Sequence, residues 1–172
     1  MAWRRLLQAT PESQLLLHAH SGCHRDRVRE FFAQEGVSPE RVTFVNNVPT
    51  AEYFDIYQRV DVALDPFPYG GGTTTCDALW MGVPVVSLAG QTAVGRGGLS
   101  ILSNIGLPEL VARDTEHYVR VAVELANDLP RLSHLRATLR ERMRASPLMD
   151  ARRFARNVEA AYREMWTRWC EK

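Results

Sequence analysis

The sequence predicts a doubly wound α/β fold, a parallel sheet with helices on both faces, on three grounds. Short apolar runs alternate with amphipathic stretches over most of the chain, so strand and helix take turns. The chain has 172 residues, is 45% hydrophobic and 24% charged, and so has the size and composition of one ordinary globular domain. No repeat with a period of about 20 to 50 residues and no low-complexity tract competes with that reading.

The elements follow in order. Leu15-Leu16-Leu17, after Pro11-Glu12, reads as a buried strand. Arg25 to Glu35 sets Val28, Phe31 and Phe32 on one helical face, and Gly36 ends it. Val42 to Val45 is the second strand, and Thr50, a potential N-cap, opens a short helix. Val60 to Leu64 is a third strand, Thr73 to Met81 a helix, and Pro84 to Leu88 a fourth strand. Thr92 to Ser103 is expected to be helical despite its glycines, and Leu107 to Val111 is a short strand or turn. Beyond that the pattern is purely helical. Asp114 caps a helix to about Asn127, Pro130 suits the first turn of the next, to about Ala145, and Asp150 caps the last.

Charge and cysteine content exclude several classes. Twenty-one basic and 20 acidic residues give a formal charge of +1, against a dedicated nucleic-acid binder. The basic residues are arginines apart from Lys172. No apolar run approaches the roughly 20 residues that span a bilayer, so no membrane partner is expected. Cys23, Cys76 and Cys170 are odd in number and widely spaced, which fits a reducing cytoplasm rather than a disulfide framework.

The strongest local signal is Leu64-Asp65-Pro66-Phe67-Pro68-Tyr69-Gly70-Gly71-Gly72-Thr73-Thr74-Thr75-Cys76-Asp77. A strand ends, two prolines stiffen the exit, three glycines follow, and a helix starts on three threonines. Glycines such as Gly71 and Gly72 let backbone approach a ligand, and a helix start offers unpaired N–H groups and a positive dipole end. Together they suit a phosphate, with threonine hydroxyls as neutral donors. Asp77, one turn in, suits ribose hydroxyls. A glycine loop with a threonine cap and no ligand is the other reading of the same residues. The segment is not a Walker loop, since no lysine follows the glycines.

Asp65 to Val86 as a whole resembles the carboxyl-terminal catalytic lobe of the protein O-linked N-acetylglucosamine transferases, including bacterial and plant SPINDLY-type members. Ala93 to Leu102 with Arg96, Gly106 to Val111, Ser146-Pro147-Leu148 and Tyr162 to Trp169 extend the resemblance over essentially the whole chain. It implies a Rossmann-like UDP-sugar-binding lobe of a GT-B-type glycosyltransferase over residues 1–149. Residues 150–172 would be a C-terminal helix directed toward an N-terminal lobe. It implies inverting, metal-independent transfer of a sugar from UDP to a Ser or Thr hydroxyl of an acceptor protein, with no cofactor. Thr73, Thr74 and Thr75 would carry the diphosphate and Asp77 the ribose. The segment from Val48 through Thr50 to Glu52 would read the uracil edge by a backbone group. Position 53, often His in the family, is Tyr53, whose ring suits a base face. Thr50 replaces a Lys of some animal members, and Gly72 replaces their His. The family's first strand in this lobe, with a diphosphate-binding Lys, would precede Trp3 to Leu7, as would the N-terminal lobe with its catalytic residues and a tetratricopeptide region. No catalytic residue is therefore expected within the chain, and the isolated chain is expected to lack turnover. A non-catalytic nucleotide-binding or protein-interaction domain derived from the lobe is the alternative.

Other groupings have two readings each. His18, His20, Cys23 and His24 form either a polar loop or a metal cluster, though the spacing is not a standard zinc pattern. Cys76 either has its pKa lowered by the helix start or is a packing cysteine. Asp61 and Asp65 share a strand face without forming a metal motif. Arg96 either adds charge at the site or forms an ion pair within the lobe. Phe154, Val158, Ala161, Tyr162, Met165, Trp166 and Trp169 make a stripe on the last helix, suited to a further lobe or to self-association.

Overall fold

The computed structural model describes residues 2–171. Lys172, the lone lysine, lies outside the described residues. The chain runs α1 (Ala2–Ala9), β1 (Leu15–His18), α2 (Cys23–Gln34), β2 (Val42–Val45), α3 (Thr50–Ile56), β3 (Ala63–Leu64), α4 (Thr73–Trp80), β4 (Val85–Leu88), α5 (Gly97–Asn104) and β5 (Val111–Ala112). Three helices close it: α6 (Thr115–Asn127), α7 (Leu129–Ala145) and α8 (Ala151–Cys170).

All strand pairings are parallel, as the alternation requires, but they form two ladders, β1–β2 and β3–β4–β5, rather than one continuous sheet. Among the described residues β1 pairs only with β2, and β3 only with β4. The core divides accordingly. Leu7, Leu15, Phe32, Val37 and Val42 form one cluster around β1 and β2. A larger cluster around β4 and β5 includes Leu79, Val86, Leu102, Leu110, Tyr118, Leu125 and Leu139. Trp3 of α1 touches both and joins them. Arg41 fastens the α1–β1 connection by donating to the carbonyls of Leu7 at 2.9 Å, Thr10 at 2.7 Å and Ser13 at 2.7 Å. Arg5 clasps Glu116, tying α1 to the start of α6.

The third strand is shorter than the expected Val60 to Leu64. A 3-10 turn at Tyr57–Arg59 takes up the approach. The Val60 carbonyl then accepts from Arg136 Nη1 at 2.6 Å instead of joining a ladder. The helix expected from Thr92 to Ser103 is also corrected. Four glycines (90, 95, 97 and 98) lie in or beside that stretch and weaken helix propagation. Residues Val94–Arg96 make a 3-10 turn instead, with the Gly95 N–H on Thr92 Oγ1 at 3.2 Å, before α5 begins. Thr50 is not a cap: Pro49 holds that position, and Thr50 is the first helical residue. Residues 107 to 111 divide between a turn at Pro108–Leu110 and β5.

The helical end follows the sequence signals closely. Asp114 accepts from the His117 N–H at 2.7 Å and Asp150 from the Arg153 N–H at 2.9 Å, both side-chain caps. Asp128 does the same for Arg131 at 3.0 Å, with Pro130 inside the first turn of α7. Gly82 ends α4 with φ of 82°, a left-handed position. A Cβ there would also stand 2.8 Å from the Arg136 carbonyl of α7. No residue of α8 is buried, and Phe154, Tyr162, Trp166 and Trp169 are each about two-thirds exposed. No helix among the described residues is long and apolar enough to cross a membrane.

Candidate functional site

The site is built where β3 ends. Asp65, the next residue, turns inward and is 5% exposed. Its backbone carbonyl accepts from the Tyr118 hydroxyl at 2.9 Å, and Tyr118 in turn accepts from Trp3 Nε1 at 3.4 Å. Burial pushes the Tyr118 phenol well above its ordinary value of 10, so it keeps the proton it donates. The strand exit is thereby fixed from α6 and α1.

The Asp65 side chain organises the loop above it. Its Oδ1 accepts from the Gly71 N–H at 3.2 Å and from Thr75 Oγ1 at 2.9 Å. Its Oδ2 is buried without a hydrogen-bond partner. That oxygen lies 2.7 Å from where a Cβ on Gly98 would stand, against the positive first turn of α5. The missing Cβ at Gly71 is equally necessary. It would come within 2.4 Å of Thr75 Oγ1, 2.8 Å of Thr74 Oγ1 and 2.9 Å of Asp65 Oδ1.

The outcome is a polar ledge on the start of α4. Gly72, Thr73 and Thr74 are exposed, and among the described residues no acceptor takes the N–H of Thr73 or Thr74. Thr75, grouped with them from the sequence, faces inward at 2% exposure with its hydroxyl proton committed to Asp65. Gly72 sits in the N-cap position, and a Cβ there would meet nothing within 4 Å. Asp77 follows one turn later, half-buried, its Oδ2 accepting from the Tyr53 hydroxyl at 3.1 Å. Tyr53 lies on α3, preceded by half-buried Val48 and exposed Thr50, so the second expected segment borders the same ledge.

Arg96 stands on the turn beside this loop. A Cβ on Gly95 or Gly97 would lie 3.4 Å from the carbonyls of Pro68 and Gly71 respectively. Arg96 is exposed and makes no ion pair among the described residues, so the expected pairing within the lobe is not formed. Of the two readings of Cys76, the packing one holds: the side chain is partly buried against the larger core cluster. Burial, reinforced by the Asp77 charge, pushes its thiol up rather than down. Asp61 is exposed and stands 3.9 Å from Arg136, apart from the role of Asp65. His18 ends β1, His20 lies on the loop that follows, and Cys23 and His24 open α2; all four are exposed, and no group of His, Cys, Asp or Glu among the described residues is gathered for a metal. Arg25 shapes that loop, donating to the His20 carbonyl at 3.0 Å and to Asn46 Oδ1 at 2.6 Å.

Two contributors were missed from the sequence. The sequence sets Asp65 beside Asp61 on one strand face and gives Tyr57 no role. The available signals were a carboxylate directly after a buried strand and a second tyrosine four residues beyond Tyr53 on one helical face.

The model of glycosyl transferase family 41 matches residues 1–158. The chain belongs to that family. Among relatives, the tomato (Solanum lycopersicum) protein named "Probable UDP-N-acetylglucosamine--peptide N-acetylglucosaminyltransferase SPINDLY" is 41% identical over 173 residues, 98% of this chain and 19% of its own length. The Caenorhabditis elegans UDP-N-acetylglucosamine--peptide N-acetylglucosaminyltransferase is 31% identical over 167 residues, 97% of this chain and 14% of its own. A solved structure, the K341M mutant of the Thermobaculum terrenum O-GlcNAc transferase, is similar with a TM-score of 0.91 and 38% identity. That match covers 99% of this chain and 33% of the other. This family 41 chain therefore spans about a fifth of the SPINDLY relative and a third of the solved transferase chain.

Proposed function

We propose that this family 41 chain is the UDP-sugar-binding lobe of a protein O-glycosyltransferase, which transfers a sugar from UDP to Ser or Thr hydroxyls. The observation that carries the reading is the ledge at the start of α4. The unpaired N–H groups and exposed hydroxyls of Thr73 and Thr74 stand behind a glycine loop, with Asp77 one turn away. The N–H groups and the helix dipole suit a diphosphate, and exposed Arg96 adds positive charge beside it. Asp77 takes ribose hydroxyls, the Tyr53 ring and the backbone near Val48 face the base, and Thr50 stands at the rim. Thr75 supports the loop through Asp65 rather than reaching the ligand.

The same ledge gives a reason for metal-independent transfer. Charge develops on the departing diphosphate, and fixed N–H and hydroxyl donors meet it there without a cation. Transfer with inversion, and the groups that activate the acceptor, belong in this reading to an N-terminal lobe. The exposed aromatic stripe of α8 is available to contact such a lobe. The chain by itself binds donor and does not turn over. The names of its relatives support N-acetylglucosamine as the sugar.

Calorimetric titration with UDP tests the reading. Saturable binding that Asp77→Ala weakens by about tenfold, with the fold intact, is expected for a charged group hydrogen-bonded to ligand. Absence of heat at about 1 mM UDP would overturn it and favour a protein-interaction domain.

A further inference from the structure

We infer that Tyr57 and Tyr53 form a directed hydroxyl chain that fixes the Asp77 carboxylate and so sets how tightly the site holds the ribose of a nucleoside diphosphate. The inference rests on the function proposed above and adds two positioning residues to it.

Tyr53 and Tyr57 are four residues apart, so they stack on one face of α3 and the turn that follows. Their rings meet edge to face at 5.4 Å and 87°, and their hydroxyl oxygens are 2.6 Å apart. Proton counting gives the direction. An ionised carboxylate only accepts, so in the 3.1 Å contact the Tyr53 O–H donates to Asp77 Oδ2. Tyr53 has then spent its one proton, and the short contact with Tyr57 requires Tyr57 to be the donor. The chain runs Tyr57 to Tyr53 to Asp77. The Tyr57 hydroxyl also lies 3.4 Å from the Thr74 carbonyl, close against the first turn of α4.

The geometry has a consequence for binding. Asp77 is half-buried on α4, and without a donor its carboxylate would turn among several rotamers and take up water. With Oδ2 held by Tyr53, Oδ1 remains for a ligand hydroxyl. Burial and the neighbouring charges push both phenols up, so the two protons stay in place through neutral pH. The chain also couples the base side of the ledge, on α3, to the diphosphate side, on α4.

Calorimetry on the full chain with UDP, 2′,3′-dideoxy-UDP and pyrophosphate tests the inference. Tyr53→Phe keeps the ring, and with it any base stacking, but removes the hydroxyl. Tyr53→Phe is expected to weaken UDP by about three- to tenfold, and Tyr57→Phe by less. Neither variant should change affinity for pyrophosphate or for the dideoxy ligand. In the Asp77→Ala background, Tyr53→Phe should add no further loss. Unchanged or tighter UDP binding by Tyr53→Phe would overturn the inference, as would an equal loss for pyrophosphate, the mark of a loosened fold. If Asp77→Ala weakens UDP while Tyr53→Phe does not, only the hydroxyl chain fails. If Asp77→Ala binds UDP like the parent, the ribose assignment fails with it.

Discussion

Gly71→Ala separates a glycine the loop requires from one it merely contains. The added Cβ would stand 2.4 Å from Thr75 Oγ1 and 2.8 Å from Thr74 Oγ1. Thr74 is exposed and can turn away at little cost. Thr75 is 2% exposed, and turning it breaks the 2.9 Å bond to Asp65 Oδ1. A hydrogen bond to a charged acceptor contributes about 1.5–3 kcal/mol, so that is the expected loss. For a chain of 172 residues it lowers the thermal midpoint by roughly 3–12 °C. Gly72→Ala is the control, because its Cβ meets nothing within 4 Å. Thermal unfolding followed by circular dichroism reads both, and a third comparison localises the strain. In a Thr75→Ala background the nearest obstruction and its bond to Asp65 are already gone and the 2.9 Å approach to Asp65 Oδ1 remains, so Gly71→Ala should cost less than it does in the parent, though not nothing. Equal midpoints for Gly71→Ala and the parent, or equal losses for Gly71→Ala and Gly72→Ala, would refute the reasoning.

Other consequences are as direct. Arg5 lowers the Glu116 carboxyl below its ordinary value of 4.5. The clasp therefore adds stability above that value, which is lost as pH falls through the lower folded value. Glu116→Gln should narrow the midpoint difference from the parent as pH drops from 6 toward 3, and added salt should shrink it at pH 6 because the pair is exposed. Cys76 should alkylate more slowly than exposed Cys23 and Cys170, and Asp77→Asn should speed it by removing the charge that raises its thiol; mass-resolved iodoacetamide labelling reads both. Replacing Trp166 and Trp169 together by Gln should leave the midpoint within about 3 °C, since both side chains are exposed. In sedimentation velocity the parent is expected to associate as its concentration rises and this variant is not; a large midpoint drop would mean that the stripe is covered within the chain.

Much of this could be read from the sequence because the signals were local. Asp114 and Asp150 cap their helices in the geometry their positions announced, and the glycine–threonine run does open α4. Where glycine-poor apolar runs met turn residues, strands appeared within a residue or two of expectation. The failures arose where distant groups compete for local ones. Arg136 reaches across to the Val60 carbonyl and removes it from the third strand, a competitor 76 residues away. Four glycines and the Thr92 hydroxyl divert the segment before α5.

The order of elements, the parallel pairing and the opening of α4 on the glycine–threonine run were thus set by the chain itself, since apolar periodicity and turn chemistry act over a few residues. Which threonines face outward was not. Thr73, Thr74 and Thr75 are chemically alike, and only the buried Asp65 beneath them turns the third inward. The role of Tyr53 was likewise decided in three dimensions: the sequence offered a ring to lie on a base, and the fold aims its hydroxyl at Asp77. The physical reason is the same in both cases. A hydrogen bond depends on where its partner sits in space, and the partners here lie 10 and 24 residues away along the chain.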